Sequence, residues 1–209
     1  MRSEKYGFEL LFLSLCLCVS QNVTAQAPVK TTETTVVMVR HGEKPEADLG
    51  QLACQGLNRA LKLANVLHSR YGVADLIFAP NPSVKIQADG VEWSYVRPLT
   101  TIEPYAIKIG SPVNADYGWN NLSPVVKRIR QREKGLIVVA WEHHGIVGMS
   151  RDLMKAFGAN PDDIPVWSGD DFDSMYVFKI EHASNAKQSR ITFLHTKEGL
   201  NGQSKDCPN

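Results

Sequence analysis

Two apolar runs, each ending in a histidine-containing cluster, constrain the fold of this chain most strongly. "TTVVMV" leads into "RHGEK" at positions 40–44, and "LIVVA" leads into "WEHHG" at positions 141–145. Near-continuous apolar runs of this length are typical of strands covered on both faces, as in parallel sheets. Ligands in open α/β sheets bind at the carboxyl ends of the strands. We therefore predict two parallel strands whose polar ends share one binding site.

Helical patterns lie between the predicted strands. In "GLNRALKLANVLHSR" the apolar residues recur at the spacing of an amphipathic helix. These residues are Leu57, Ala60, Leu61, Ala64 and Leu67. Three further helices are predicted: residues 99–109, entered through Pro98; "LSPVVKRIRQREK", closed by Gly135; and "IVGMSRDLMKAFG", ending at Gly158.

The order of the elements predicts the fold class. "ADLIFAP" has the pattern of another strand, residues 80–93 that of an irregular loop, and "SMYVFKI" with "RITFLH" that of an antiparallel pair. Strands that alternate with helices favour a parallel sheet covered on both faces. We predict an α/β fold, a three-layer α/β/α sandwich with a mostly parallel sheet and an antiparallel edge.

The first 25 residues have the pattern of a signal peptide. Their apolar run "LLFLSLCLCVS" is shorter than the roughly 20 residues that span a bilayer, and Val23 and Ala25 fit the small-residue cleavage pattern. An uncleaved membrane anchor is the alternative. We predict a signal peptide over residues 1–25 and one domain over residues 26–209, located in the periplasm or secreted, with no membrane association after cleavage.

Charge and cysteine content narrow the partners of the mature chain. The net charge of +1 and the absence of a long basic run argue against nucleic-acid binding. Cys54 and Cys207 remain after cleavage, and in an oxidising compartment they can form a disulfide that holds the C-terminal tail. The alternative is that Cys54 is a small buried apolar residue on a helix. The oligomeric state stays open.

A third segment adds to the two histidine clusters. In "YVRPLTT", Arg97 stands at the start of the predicted helix, where free backbone N–H groups and the helix dipole favour an anion. Together with Arg40, His41 and the histidine pair at 143–144, it predicts a pocket for a compact oxyanion.

These three motifs, in this order, resemble the histidine phosphatase superfamily, whose members have the phosphoglycerate-mutase-like fold. "VVMVRHGEK" is similar to the family's R-H-G signature after the first strand, "VRPLTT" to its second arginine segment, and "LIVVAWEHHG" to the strand that delivers the second histidine. Gly56, Arg59 and Ala60 fit the G-x-x-R-A pattern of the family's first helix. The resemblance covers nearly all of the mature chain.

The resemblance implies the roles of the site residues. His41 is the nucleophile that forms phosphohistidine, Arg40 and Arg97 hold the phosphoryl oxygens, and His143 is a further ligand, with His144 as its alternative. Neighbouring cations are expected to lower the pKa of His41 and keep it neutral. No metal or other cofactor is implied, and the expected partner is a small phosphate ester.

The proton donor is open among three carboxyl groups. Glu142 is next to His143, but strand alternation can turn it away. Asp116 lies in the loop after the second arginine motif, and Glu43 follows the R-H-G motif directly.

Two other functions remain alternatives. One is a phosphate or phospho-ligand binding protein on the same fold, without turnover. The other is a metalloprotein in which His41, Glu142, His143 and His144 bind the ion, although two nearby arginines disfavour a divalent cation. The sequence shows no long insertion that would cover the site.

Several other polar and aromatic residues are expected to be structural. Arg59 is predicted to be an ion-paired scaffold residue, and "GDDFD" at positions 169–173 is predicted to be a turn that enters a strand. Solvated histidines are predicted at His68, His182 and His195, and core aromatic residues at Tyr105, Trp119 and Trp167.

Overall fold

The structure is a computed structural model that describes residues 1, 31–47, 49–88, 90–183 and 189–208. Apart from its first residue, the predicted signal peptide of residues 1–25, with its cleavage position after Ala25, lies outside the described residues. None of the helices within those ranges is long and apolar enough to cross a membrane.

The described helices match four of the predicted helical segments. They are α1 (Cys54–Tyr71), α2 (Arg97–Ile109), α3 (Ser123–Arg130) and α4 (His143–Ala156), with a short 3-10 helix at Pro161–Asp163. The strands are β1 (Thr32–Arg40), β2 (Leu76–Phe78), β3 (Ile86–Ala88), β4 (Val91–Trp93), β5 (Val113–Asn114), β6 (Gly135–Trp141), β7 (Ser174–His182) and β8 (Arg190–Lys197).

In the described part of the chain, six strands form one sheet in the order β5-β2-β6-β1-β7-β8. Strand β1 runs parallel to β6, and β2 runs parallel to both β5 and β6. Strands β7 and β8 are antiparallel and form one edge. The mostly parallel sheet with an antiparallel edge is therefore confirmed.

The helices cover both faces of this sheet. Val36 and Met38 of β1 pack in one core cluster with residues of α3 and α4, whereas Val37 and Val39 pack in a second cluster with residues of α1 and α2. Successive strand residues point to opposite faces, so the unbroken apolar run of β1 is buried on both sides. This is the predicted three-layer α/β/α sandwich.

The register of β1 and β6 places the two histidine clusters together. Arg40 pairs with Trp141, and both residues are the last of their strands. His41 donates its backbone N–H to the carbonyl oxygen of Trp141 at 3.0 Å. The prediction that both polar clusters share one edge of the sheet is confirmed.

Three local predictions were wrong. Residues 80–93 are not wholly irregular, because β3 and β4 pair there as a separate antiparallel hairpin. Gly135 does not cap α3, which ends at Arg130; it opens β6 with a φ of 102°, a conformation that favours glycine. Helix α4 ends at Ala156, before Gly158, and begins earlier than expected, at His143.

Helix α1 contains the predicted apolar stripe with a shift. Ala60, Ala64 and Leu67 are buried as expected, but Leu63 is buried and Leu61 is 46% exposed. Cys54, the first residue of α1, forms a disulfide with Cys207, so the alternative of a lone buried cysteine does not apply.

Candidate functional site

A cavity of about 270 Å³ opens at the edge of the sheet where β1 and β6 end. Its walls combine predicted site residues with residues of the β3–β4 hairpin and the loop before α3. The lining residues are Arg40, His41, Lys44, Ile86, Gln87, Tyr95, Arg97, Trp119, Glu142 and His143.

His41 is buried and its ring is held in one orientation. Its Nδ1 atom lies 2.8 Å from the carbonyl oxygen of Gly42. A carbonyl oxygen only accepts hydrogen bonds, so Nδ1 carries the proton and the lone pair remains on Nε2. The arrangement leaves Nε2 as the nucleophilic atom of the ring.

The protonation state of His41 follows mainly from burial. Burial, together with the nearby positive charges of Arg97 and Arg40, lowers the pKa of His41 to about 3. The sequence predicted the direction of this shift from the cations alone, but desolvation is the larger cause. The lowered pKa therefore favours the neutral ring at neutral pH.

Two glycines allow the loop after β1 to lie against α1. A Cβ atom on Gly42 would lie 2.8 Å from the carbonyl oxygen of Gly56, and a Cβ atom on Gly56 would collide with the backbone of Glu43. Thr101 of α2 accepts the Gly42 N–H at 2.9 Å and donates to the carbonyl oxygen of Arg97 at 2.8 Å. Both neighbouring helices therefore hold the R-H-G segment.

Arg40 is only 3% exposed and is held by neutral groups. Its Nη1 atom donates to the carbonyl oxygens of Gly169 at 2.6 Å, Asp171 at 3.0 Å and Ser168 at 3.4 Å. The guanidinium carbon lies 3.9 Å from the ring centroid of Phe172. Its buried Nε atom has no hydrogen-bond partner among the described residues. Within the described ranges, no carboxylate is in direct contact with the charge of Arg40.

Arg97 begins α2, as predicted, and is 5% exposed. Its guanidinium carbon lies 4.9 Å from the ring centroid of Tyr95, another buried cavity residue. The backbone N–H of Arg97 donates to the carbonyl oxygen of Gly50, and Pro98 has no N–H. The expectation that free backbone N–H groups serve an anion here is therefore wrong for the first two helical positions.

His143 and His144 form the first turn of α4 rather than the end of a strand. His143 lines the cavity, whereas His144 is exposed and lies outside the lining residues. Burial lowers the pKa of His143 to about 4, assisted by Arg40, His144 and Lys44. Among the described residues, no hydrogen-bond partner is found for the buried Nδ1 atom of His143.

The three candidate acids occupy different positions. Glu142 lines the cavity, and its carboxylate accepts the backbone N–H groups of His144 and Gly145 as the N-cap of α4. Strand alternation does not turn it away, because β6 ends at Trp141. Glu43 is paired with Arg59, and Asp116 is exposed and accepts a hydrogen bond from Asn114.

Sequence reasoning missed most of the remaining cavity wall. Trp119 was expected in the core but lines the cavity, and Ile86 and Gln87 come from the hairpin that was predicted to be irregular. Lys44 and Tyr95 are close in sequence to Arg40 and Arg97, respectively. This proximity was the one feature of the sequence from which their position in the cavity wall could have been predicted. The short β3–β4 hairpin thus contributes to the cavity wall, a contribution that the sequence did not predict.

Most of the residues that were predicted to have structural roles occupy structural positions. Tyr105 and Trp167 are in the core, and "GDDFD" leads directly into β7. His68 and His195 are exposed, as predicted for solvated histidines, and His195 also contacts the Ser174 hydroxyl. His182 was predicted to be solvated as well, but it is half-buried beside Thr34.

A second charged cluster includes Glu43, the residue that follows the R-H-G motif. The guanidinium of Arg59 contacts Glu43 at 2.7 Å, Glu198 at 2.8 Å and Asp173 at 3.4 Å. The prediction of an ion-paired scaffold residue is confirmed. Burial raises the pKa of Glu198 to about 8, although the charge of Arg59 opposes this shift.

The described residues contain no group of three or more His, Cys, Asp or Glu side chains that could hold a metal ion. His41, Glu142 and His143 all line the cavity, but His144 does not. The arrangement in the cavity instead offers two buried guanidinium groups and two imidazoles whose pKa values are lowered, a set that suits an oxyanion.

Comparison with known proteins supports the fold. No protein-family model matches the chain, and no curated protein matches it significantly in sequence. A solved structure from Nakamurella multipartitia, proposed to be the phosphohistidine phosphatase SixA, shares 14% identity with a TM-score of 0.51, over 81% of this chain and 98% of that one. The structure named mycobacterial hydrolase 2 shares 16% identity with a TM-score of 0.52, over 77% of this chain and 89% of that one.

Proposed function

We propose that this chain, which has the phosphoglycerate-mutase-like fold of the histidine phosphatase superfamily, is a phosphatase that hydrolyses a phosphate monoester through a phosphohistidine on His41. The observation that carries the proposal is the geometry of His41: a neutral imidazole with its proton on Nδ1, in one cavity with two buried arginines. This is the state that a nitrogen nucleophile requires.

In the first step, Nε2 of His41 attacks phosphorus. An N–P bond forms while the bond between phosphorus and the ester oxygen breaks. Arg40 and Arg97 hold the phosphoryl oxygens, and His143 contacts the same group. The positions of these side chains are set before substrate arrives, so charge that develops on the oxygens is met by fixed donors.

The leaving oxygen takes a proton from Glu142, the candidate acid that lines the cavity. In the second step, water attacks phosphorus and gives its proton to the Glu142 carboxylate, the N–P bond breaks, and inorganic phosphate leaves. No metal ion takes part in either step.

We also propose that the protein acts in the periplasm or after secretion. The signal-peptide pattern of residues 1–25 supports this location, and so does the disulfide between Cys54 and Cys207, because disulfides persist mainly in oxidising compartments.

A phosphate-binding protein without turnover is the second candidate. The position of Glu142 favours it, because both oxygens of its carboxylate accept backbone N–H groups at the start of α4. These bonds hold Glu142 as an acceptor, whereas the first step requires it to donate a proton.

Phosphate release from an aryl phosphate between pH 4 and pH 8, with and without EDTA, tests the proposal. We expect turnover that survives chelation and is lost in His41→Ala. His68→Ala is the matched control, because His68 is exposed on α1 away from the cavity. Turnover that disappears with EDTA would support the metalloprotein alternative, and bound phosphate without turnover would support the binding protein.

Trapping the intermediate separates nucleophilic catalysis by His41 from simple binding. Rapid quenching of the enzyme with radiolabelled ester in alkali should retain label on the protein, and acid should release it, because a phosphoramidate bond is acid-labile. Loss of the label in His143→Ala but not in His144→Ala would identify the second histidine. Label retained in His41→Ala would contradict the mechanism.

A further inference from the structure

Among the described residues, three tyrosines are almost fully buried, and they differ in what their hydroxyl groups contact. Tyr95, Tyr105 and Tyr176 are each no more than 2% exposed. The Tyr105 hydroxyl donates to the carbonyl oxygen of Gly72 at 2.8 Å, and the Tyr176 hydroxyl donates to that of Pro165 at 3.0 Å. Across the described ranges, no acceptor is found for the hydroxyl hydrogen of Tyr95. Buried polar groups are almost always hydrogen-bonded, so this hydroxyl calls for an explanation.

The position of Tyr95 indicates where its acceptor comes from. Tyr95 lines the cavity of the candidate site, whereas Tyr105 and Tyr176 do not. Its ring is nearly perpendicular to the ring of His41, and the two ring centroids are 6.2 Å apart. A ligand bound in the cavity beside the nucleophile would supply the acceptor.

The nearest polar neighbour of the Tyr95 hydroxyl is Arg97, and it decides which part of the hydroxyl is left for a ligand. Burial raises the pKa of Tyr95, and the charge and hydrogen bonding of Arg97 oppose that shift. A guanidinium only donates hydrogen bonds, so the phenol oxygen accepts from Arg97 and its own hydrogen remains for an acceptor. The raised pKa also keeps that hydrogen on the oxygen at neutral pH.

The Tyr95 hydroxyl is also within electrostatic reach of two other charged groups of the cavity. The charge of Glu142 raises the pKa of Tyr95, and the charge of Arg40 lowers it. In the proposed mechanism these residues act on the leaving oxygen and on the phosphoryl oxygens. Since Arg97 is the direct neighbour, and Arg97 is assigned to the phosphoryl oxygens, the hydroxyl is placed to reach the same oxygens.

The backbone next to Tyr95 is held by contacts within the protein. The N–H groups of Val96 and Arg97 both donate to the carbonyl oxygen of Gly50 at 3.0 Å. Gly50 has a φ of 74°, and a Cβ atom there would collide with the carbonyl oxygen of Ser94. A donor on a backbone fixed in this way stabilises developing charge without first having to reorganise.

Building on the proposed phosphatase activity, we infer that Tyr95 is a further catalytic residue, whose hydroxyl donates a hydrogen bond to a phosphoryl oxygen beside Arg97. It adds a neutral donor to the two guanidinium groups. The hydroxyl keeps its hydrogen through both steps, so no bond is made or broken at Tyr95.

Tyr95→Phe tests the donor alone, because it removes the hydroxyl and keeps the ring. The kcat/KM for 4-nitrophenyl phosphate should fall about 10–100-fold, the loss expected for a hydrogen bond to a charged group. Tyr105→Phe is the matched control, since it removes a buried hydroxyl that bonds to Gly72 and does not line the cavity. Its kcat/KM should be unchanged. Equal losses in the two variants would overturn the role of Tyr95.

Denaturant unfolding separates a catalytic hydroxyl from a structural one. Tyr105→Phe should lower the free energy of unfolding, because it leaves the carbonyl oxygen of Gly72 without its donor. Tyr95→Phe should lower it less, because its hydroxyl hydrogen has no acceptor within the described ranges. A loss in Tyr95→Phe as large as in Tyr105→Phe would mean that the Tyr95 hydroxyl is structural.

Two esters separate a hydrogen bond to a phosphoryl oxygen from protonation of the leaving oxygen. 4-Nitrophenolate is a good leaving group without protonation, whereas phenolate depends more on a proton donor. Tyr95→Phe should lower kcat/KM by similar factors for 4-nitrophenyl phosphate and phenyl phosphate. A loss confined to phenyl phosphate would make Tyr95 a proton donor and would overturn the inferred contact.

Binding of inorganic phosphate, measured by calorimetry, distinguishes failure of the inference from failure of the proposed function. Tyr95→Phe should raise the dissociation constant of phosphate about fivefold or more. If the wild-type protein hydrolyses both esters and Tyr95→Phe has normal kinetics and phosphate affinity, the inference is wrong and the phosphatase stands. If the wild-type protein hydrolyses neither ester, the proposed function is wrong and the catalytic role of Tyr95 falls with it.

Discussion

Two arginine clusters lie next to the R-H-G loop and use the same residue type for different purposes. The cavity cluster consists of Arg40, His41, Arg97, Glu142 and His143. The closed cluster consists of Glu43, Arg59, Asp173 and Glu198.

The difference between them is the charge of the partners. Arg59 contacts three carboxyl groups, so acidic partners offset its positive charge. Arg40 contacts three backbone carbonyl oxygens and the ring of Phe172, all of which are neutral. Neutral partners set the orientation of a guanidinium without cancelling its charge. A buried arginine can therefore be a scaffold or a site for an anion, depending on what holds it.

The largest expected effect on stability is in the closed cluster. Arg59→Met leaves three carboxyl groups, two of them buried, without their cation, and we expect it to lower the free energy of unfolding by about 3–5 kcal/mol. The matched control is Arg132→Met, which removes an exposed ion pair with Asp75 and should cost about 0–1 kcal/mol. Denaturant unfolding measures both, and equal losses would mean that the closed cluster is not a structural unit.

In the cavity cluster we expect a large effect on activity and a smaller effect on stability. Arg40→Met should reduce kcat/KM about 10²–10³-fold, because a fixed donor to the phosphoryl oxygens is lost. Its cost in unfolding free energy should be smaller than that of Arg59→Met, since no buried carboxylate is left without a partner. Arg128→Met, at an exposed position of α3, is the control for charge. An Arg40→Met enzyme with normal kinetics would break the comparison.

The disulfide tests whether the closed cluster depends on the C-terminal tail. Cys54 and Cys207 are 153 residues apart and join the start of α1 to the segment that follows Glu198. Replacing both by serine should lower the free energy of unfolding by about 2–4 kcal/mol. We expect kcat/KM of the folded variant to be unchanged, because neither cysteine lines the cavity. Activity loss well below the unfolding temperature would show that the two clusters are coupled through the tail.

Gly56 lies at the boundary between the clusters and should affect both. Gly56→Ala places a Cβ atom against the backbone of Glu43, and overpacking of this kind costs about 1–3 kcal/mol. Displacement of the R-H-G loop should also lower kcat/KM. Gly148→Ala is the control on α4, where the nearest atom is a flexible Leu122 methyl group at 3.3 Å. Matching behaviour of the two alanine variants would argue against the close approach.

The smallest expected effect is a pH dependence of stability from Glu198. Its pKa in the folded protein is raised by burial to about 8, above the value of about 4.5 for an unperturbed glutamate. Its stabilising contribution is therefore complete below about pH 4.5 and is lost as the pH rises through about 8.

Glu198→Gln removes this dependence and leaves other titrating groups in place. The difference in unfolding free energy between wild type and variant should change in favour of the variant by about 1 kcal/mol or more between pH 5 and pH 8.5, since one pKa unit corresponds to about 1.4 kcal/mol. A difference that stays constant with pH would mean that Glu198 is ionised throughout this range.

The elements that could be predicted from sequence have strong local patterns. The apolar runs of β1 and β6 indicated buried parallel strands, and the spacing of α1 indicated a helix with one apolar face. The start of α2 at Arg97 followed from the adjacent proline. In each case the pattern that identifies the element also causes it, through burial or backbone restriction.

The predictions from sequence were wrong where the structure depends on contacts that the local sequence pattern does not show. The β3–β4 hairpin has three-residue strands and no apolar alternation that marks it. Trp119 was predicted to be a core residue. The sequence shows that a tryptophan tends to be buried, but it does not show whether the ring packs in the core or against a cavity. Helix α4 begins at His143 because the side chain of Glu142 accepts two backbone N–H groups, which turned a predicted strand end into a helical turn.

By itself the sequence determined the layered α/β fold, the edge where the site lies and the residues His41, Arg40 and Arg97 that stand there. Only the tertiary structure decided that His143 rather than His144 faces the cavity, that Glu43 is taken by Arg59 and that Lys44 and Trp119 line the cavity. The physical reason is the separation along the chain between the residues that interact. Periodicity and chain order act between near neighbours, whereas burial and ion pairing depend on groups that folding brings together from far apart in the chain.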